Sequence, residues 1–375
     1  MFATFVSRKF RPTVLVRSMS KVTREVITSE HAPKALGPYS QAIRAGDTMY
    51  VSGQLGVDPS TGKLVSGGIS AQTRQALINL TKVLEAGRMS LKCVAKCTVY
   101  LGDMNDFQEM NKVYSEFFTE KQPARAAFQV AKLPLEACVE IEAVAVDAEP
   151  SGPGGYLARL YQAIRVGNTL YVSGTRGIDP RTGKVIAGGI VEQTRRAEKR
   201  QDVNFERDPH CGVSKIDAPS FHSRRRDFCG APLEQTFKLE ADDAAMPESK
   251  MVINTPTAPA AIGPYSHAVR VGNTVYASGQ VGSHPGTGKF DAGIVAQTRQ
   301  TLVNLGNILK ASGMTLDNVV KCTVYLASME DFKDMNKVYA EFFQKNYPAR
   351  AAFQVAKLPE NSLVEIDAIA VDLAS

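Results

Sequence analysis

The sequence predicts an α+β protein made of repeated units, each a mixed β-sheet with two helices on one face. Two observations carry this prediction. The twelve residues from Pro123 to Pro134 recur unchanged from Pro348 to Pro359, so the chain contains at least two copies of one module. Within each long copy, β-type alternation stands at both ends and two amphipathic helical patterns lie between.

The self-similarity extends well beyond those twelve residues. Gly37-Pro38-Tyr39-Ser40 returns as Gly263-Pro264-Tyr265-Ser266, an offset of 226, and Lys96 to Leu101 returns as Lys321 to Leu326, an offset of 225. The lost residue falls in the loop around Gly67-Gly68, matched by Asp291-Ala292-Gly293, where a surface connection tolerates a deletion. A third, broken copy runs from Tyr161 to Arg195 at an offset of 121 from the first, then stops. The expected organisation is a basic tail over 1–21, a complete unit over 22–148, a truncated unit over 149–200, a linker over 201–250 and a second complete unit over 251–375. Each complete unit has the size of an ordinary domain. The linker, with Arg224-Arg225-Arg226, scattered prolines and little apolar periodicity, is expected to be disordered.

Within the first unit, 48–52 alternates as a strand does. A helix follows over about Ser70 to Glu85, its Leu77, Leu80 and Leu84 at helical spacing. Residues 94–101 form the next strand. The second helix spans about Asp106 to Phe118, with Phe107, Met110, Tyr114 and Phe117 on one stripe and Asp106 with Glu109 placed as a cap. Two closing β-runs, 125–130 and 139–146, flank a short connection and read as an antiparallel hairpin turning near Lys132 and Leu133. That register puts Arg125 opposite Glu140, and Arg350 opposite Glu365. Such a pair has two readings. One is a solvated cross-strand ion pair contributing ~0 to 1 kcal/mol. The other is a guanidinium that grips a substrate carboxylate, with a neighbouring carboxylate to hold and activate water. The second acids along, Glu142 and Asp367, read as structural.

The remaining composition mostly excludes. No apolar run approaches membrane-spanning length, so no membrane partner is expected. The chain carries 44 Lys+Arg against 38 Asp+Glu, and Arg8, Lys9, Arg11 and Arg17 in the opening stretch account for most of the excess. The rest has no global charge that would draw it to DNA or RNA. That opening stretch, basic and free of acids before Glu25, reads as a presequence for the mitochondrial matrix or, in the alternative, as a disordered basic tail with Met19 as the start of a cytosolic form. Six cysteines in a chain this long do not form a disulfide framework. Cys97 and Cys322 sit on apolar strands as small buried hydrophobes, and the cluster His210, Cys211, His222 and Cys229 has no zinc spacing, so no metal is expected.

Gly37-Pro38-Tyr39-Ser40-Gln41, Ser52-Gly53-Gln54, Asn105-Asp106-Phe107, Pro123-Ala124-Arg125 and Val139-Glu140-Ile141-Glu142 occur in an order and spacing that resembles the RidA (YjgF) family of reactive-intermediate deaminases. The resemblance covers both complete units and the broken one. It implies a chorismate-mutase-like unit, trimer-like association of units within or between chains, and no cofactor. The implied reaction is hydrolysis of 2-iminobutanoate and 2-iminopropanoate to 2-oxo acids and ammonia. Carried onto this chain, Arg125 and Arg350 would bind the substrate carboxylate, and Glu140 and Glu365 would position the attacking water. Tyr39, Asn111, Tyr265 and Asn336 would line the pockets. Some relatives place a cysteine two residues after the arginine; Ala127 and Ala352 stand there, so no thiol nucleophile is expected. The truncated unit has Leu160 where the pattern has tyrosine, and no equivalent of Arg125 or Glu140. Members of the same family are also described as single-strand RNA endonucleases that inhibit translation, which is the alternative from another class. A non-catalytic metabolite-binding repeat protein is the third.

Overall fold

The computed structural model describes residues 22–119, 122–147, 158–160, 163–166, 169–174, 182, 184–187, 189–194 and 250–373. The basic tail, the linker and the His/Cys cluster expected within it lie outside these residues. The first repeat comprises β1 (Arg24–Ile27), β2 (Ala42–Ala45), β3 (Thr48–Leu55), the short ribbon β4 (Val57–Asp58) and β5 (Lys63–Leu64), and helix α1 (Gly68–Ala86). It continues through β6 (Val94–Leu101), α2 (Phe107–Phe117), β7 (Ala124–Gln129) and β8 (Val139–Val146). Its main sheet has the order β1-β2-β3-β8-β6-β7, antiparallel throughout except for the parallel pair β6 and β7. The helices form because their apolar residues fall on one face: Ala76, Leu77, Leu80, Val83 and Leu84 of α1 are fully buried and pack with Met110 and Tyr114 of α2 on the sheet. Cys97 is buried in the same core, as expected.

Two local expectations are corrected. Asp106 does not cap α2, because it already has helical backbone angles (φ −76°, ψ −6°), whereas a capping residue must be extended. Asp103 instead accepts a bond from the Asn105 N–H, and Glu109 accepts one from Ser70 Oγ. The hairpin between 125–130 and 139–146 is absent. β7 pairs with β6 through an α2 crossover, and β8 is inserted between β3 and β6. The connection leaves β7 with Val130 N–H donating to Leu101 O, crosses the end of β6 and enters β8, with Leu135 and Glu136 in left-handed conformation. Its eight residues need only span two strand spacings, about 10 Å. Arg125 therefore lies in register with Cys97, and Glu140 with Tyr100 and Leu55, so the two are not opposed.

The third repeat repeats this plan: β12 (Met251–Ile253), β13 (Ala268–Val271), β14 (Thr274–Val281), α3 (Ile294–Ala311), β15 (Val319–Leu326), α4 (Phe332–Phe342), β16 (Ala349–Gln354) and β17 (Val364–Val371), in the order β12-β13-β14-β17-β15-β16. The truncated copy contributes a three-stranded antiparallel sheet, β9 (Ala158–Leu160), β10 (Ala163–Val166) and β11 (Thr169–Val172). These strands and both complete repeats belong to one compact body; the described residues 182–194 belong to a second, in which 189–194 are helical.

Within the first body the complete repeats share a core. β16 docks against β3: Ser40 N–H donates to Pro348 O, and Gln354 and Ala131 bond across the junction. Tyr100, Val130 and Leu133 of the first repeat bury Ala351 and Phe353 of the third. Ile43, Ala45 and Tyr50 pack likewise with Val320, Ala349 and Val371. Tyr50, Tyr171 and Tyr276 are the equivalent tyrosines of the three copies, and the latter two add to burial in holding the Tyr50 hydroxyl neutral. The outer edge of the first repeat is met by the truncated copy, where Arg125 N–H donates to Ser173 Oγ at 3.0 Å. That cover is thinner. Phe353 on β16 is 1% exposed, while its equivalent Phe128 on β7 is 43% exposed.

Candidate active site

The junction of β16 with β3 holds a cleft lined by Tyr39, Gly53, Gln54 and Glu140 of the first repeat and by Phe332 and Arg350 of the third. Each side chain reaches it for an identifiable local reason. Arg350 is carried inward on β16, its N–H donating to Ser52 Oγ at 2.7 Å, and Ser52 in turn donates to Ser40 O. Arg350 as a whole is 3% exposed. Its guanidinium is sandwiched by rings: Tyr339 at 4.8 Å, Tyr39 at 5.1 Å and Phe332 at 5.8 Å from its carbon. Cation–π contact compensates part of the cost of burying this charge, yet Nη1 has no hydrogen-bond partner and no ion pair among the described residues involves Arg350. A buried cation without a matched anion is costly.

Tyr39 stands at a tight turn. Its N–H donates to Gly37 O at 2.8 Å and its hydroxyl accepts from Leu36 N–H at 3.1 Å, which fixes the ring over Arg350. Glycine at 37 lets this turn approach closely, since a Cβ there would lie 3.0 Å from Arg350 Nη2 and 3.2 Å from Asn336 Nδ2. Asn336, on α4, therefore reaches the same place, and its Oδ1 is buried without a partner.

Glu140 enters from β8, which is interrupted opposite by a bulge of β3 between Val51 and Gln54. Gly53 lies in that bulge. A Cβ at position 53 would stand 1.7 Å from Glu140 Oε1, so only glycine leaves room for the carboxylate. Burial pushes the Glu140 carboxyl up to about 8; the Glu142 charge adds to the rise, and Arg350 and Lys321 oppose it. Its Oε2 has no partner either. Tyr39, Glu140, Arg350 and Asn336 are thus brought together, from two repeats. The sequence motifs containing Gly37, Ser52 and Gly53 were legible; that these residues shape the cleft, and that Phe332 and Tyr339 flank the arginine, was not.

The other four candidates are not gathered into a second such arrangement. Arg125 lies over Tyr114 at 4.7 Å and Phe107 at 5.9 Å, both from its own repeat, and its backbone N–H donates to Ser173 of the truncated copy. Asn111 stands half-buried on α2. Tyr265 makes the same turn as Tyr39 but is 45% exposed. Glu365 rests over Gly279, where a Cβ would lie 1.9 Å from Oε1, and its carboxyl is raised by burial and by Asp367, with no arginine acting on it among the described residues. Among the described residues no group of three or more His, Cys, Asp or Glu is placed to hold a metal ion. Burial pushes the Cys97 and Cys322 thiols up to about 12, so neither is a ready nucleophile.

The family described as Endoribonuclease L-PSP matches residues 29–147 and again 255–372. The chain is 56% identical over 128 residues to the 2-iminobutanoate/2-iminopropanoate deaminase of Mus musculus, covering 34% of this chain and 95% of that protein. It is 54% identical over 122 residues to a RutC family protein of Pyrococcus horikoshii, covering 32% of this chain and 97% of that one. A crystal structure of the YjgF gene product from E. coli shares 42% identity and covers 32% of this chain and 98% of its own, with a TM-score of 0.32.

Proposed function

This chain belongs, through two matched copies, to the Endoribonuclease L-PSP family, which is the RidA (YjgF) family, and from that membership we propose that it hydrolyses small 2-imino acids to 2-oxo acids and ammonia. The observation that carries the reading is the buried Arg350 guanidinium, in no ion pair among the described residues and with Nη1 unpartnered, facing a cleft that also presents Glu140. Relatives about half identical to one module bear the name of that deaminase.

The chemistry asks little of the protein. A protonated imine is already electrophilic, so orientation and a supply of activated water are what remain to be provided. Arg350 pairs with the substrate carboxylate and fixes the imine carbon, with Tyr39 and Asn336 at its sides. Glu140, with a carboxyl that titrates near neutral pH, takes a proton from water as the oxygen bonds to the imine carbon. Glu140 returns that proton to the nitrogen of the resulting aminoalcohol; as the C–N bond breaks, the hydroxyl oxygen becomes the 2-oxo carbonyl and gives its proton back to Glu140 or water, and ammonia leaves.

In this reading the chain has one complete site, formed between its two whole repeats in a trimer-like association of units. Arg125 with Asn111, and Tyr265 with Glu365, are unmatched halves of the same design. The truncated copy lies where a third module would supply the missing tyrosine, glutamate and arginine. We propose mitochondria as the place of this work, beside enzymes that release reactive imino acids.

The test is to supply the product of serine or threonine dehydratase and follow 2-oxo acid release. The full chain should accelerate release over buffer, and Arg350→Ala should abolish the acceleration. The description of the family as an endoribonuclease favours a second reading, cleavage of single-stranded RNA. It predicts affinity that falls steeply with salt. Binding of a 2-oxo acid without turnover would instead support a non-catalytic metabolite-binding role.

A further inference from the structure

Behind Glu140 lies an ion pair that the reaction as described does not use. Lys321, on β15 of the third repeat, extends into the first, where its Nζ stands 2.7 Å from Glu142 Oε2; the two side chains are 8% and 7% exposed. Glu142 follows Glu140 by two residues on β8 and so shares its face of the sheet. Lys321 immediately precedes Cys322, the register partner of Arg350. Both partners of the pair are therefore one step removed from the two groups that do the chemistry.

A buried ion pair is a poor way to hold two modules together, because the desolvation of both charges offsets most of their attraction, and an apolar pair of similar volume would serve as well. Its occurrence is also selective. Lys96, the equivalent lysine of the first repeat, takes part in none of the ion pairs among the described residues. Asp367, the equivalent acid of the third repeat, accepts instead from Thr323 N–H at 3.1 Å and Tyr325 OH at 2.8 Å. Among the described residues the pair is closed only where arginine, tyrosine and glutamate also meet.

We propose that Lys321 and Glu142 are positioning residues for the hydrolysis: their ion pair, closed between the two repeats, fixes a layer of charge directly behind Glu140 and so sets the pH at which Glu140 works as a base. The inference rests on the imine-hydrolysis reading for its purpose, but not for its physics. Glu140 is faced by Arg350 from β16, by Tyr39 from the turn before β2, by Tyr100 from β6, by Lys321 from β15 and by Glu142 on its own strand, with Lys34 at the cleft mouth. Tyr100, Tyr325 and Asp367 are the further titratable groups around the pair. Of these charges, Glu142 holds the Glu140 proton on, while Arg350 and Lys321 act against it. Pairing keeps the Glu142 charge in place and pointed.

The experiment is a pH–rate profile of the full chain in the dehydratase-coupled assay, beside a 13C NMR titration of the Glu140 carboxyl, assigned by its loss in Glu140→Gln. In Glu142→Gln the anion is removed and the lysine is left unpaired, so both changes favour ionised Glu140. The acid limb and the NMR inflection should move down by about one pH unit. The double variant Lys321→Met with Glu142→Gln, which buries no lone charge, should lie between that variant and wild type, and Lys321→Arg should keep the wild-type profile. Unmoved inflections in both Glu142→Gln and the double variant, or in the double variant alone should the single one not fold, overturn the proposal. The NMR titration needs no turnover, so a protein that fails to hydrolyse imines but shows the shifts refutes the functional reading and leaves the ion pair's role standing.

Discussion

Replacing Gly53 by alanine adds one methyl group to the bulge of β3, and its effect follows from a single distance. The new Cβ would sit 1.7 Å from Glu140 Oε1 and 2.6 Å from its Cδ. Ordinary contact requires well over 3 Å, and the bulge is held on both sides by pairing of β3 with β8, so the carboxylate must give way by about 1.5 Å. A misplacement of about 1 Å at a reacting group costs roughly a hundredfold in rate. Gly53→Ala should therefore lower kcat/KM for imine hydrolysis by about two orders of magnitude while Arg350 continues to bind a 2-oxo acid. Gly279→Ala provides the control, because it creates the same clash, 1.9 Å from Glu365 Oε1, in a half-site that no arginine among the described residues completes. The assay is 2-oxo acid release with threonine dehydratase, with circular dichroism to confirm folding. Full activity in folded Gly53→Ala, or an equal loss in Gly279→Ala, would refute the reasoning.

Other outcomes follow from burial. The Glu140 carboxyl is raised to about 8 from an ordinary 4.5, so the folded state holds its proton more tightly than the unfolded chain does. Stability attributable to it is full below about 4.5 and declines until pH passes about 8. Glu140→Gln should remove that decline, a gain on the order of several kcal/mol at most by pH 8, read from urea midpoints across pH. Phe353→Ala opens a hole beside Tyr100, 4.3 Å from it across the repeat junction, and should cost about 3 to 5 kcal/mol. Phe128→Ala, at the half-exposed equivalent position, should cost about 1 kcal/mol or less.

What the sequence disclosed was periodic or repeated. The helices were legible because Leu77, Leu80 and Leu84 recur at helical spacing, and β6 and β8 because their residues follow β-type alternation or form a β-rich run. The hairpin of β7 with β8 was misread because a short connection between two β-runs carries no mark of a third strand lying between them. The order of strands is set by the α2 crossover, which is a tertiary matter. The same residue types in the cleft were foreseen, but not their partition. Arg125 and Arg350 sit in identical local sequences, and only the docking of β16 on β3 decides which of them meets a tyrosine and a glutamate. The partner of Glu142 was not legible, because Lys321 lies 179 residues away in another repeat.

The number of 2-oxo acid molecules bound per chain, measured by calorimetric titration of the full-length protein with 2-oxobutanoate, tests the single composite site most directly. One equivalent, lost in Arg350→Ala and kept in Arg125→Ala, is the predicted result. Two equivalents per chain, or a site that depends on Arg125 instead, would contradict it.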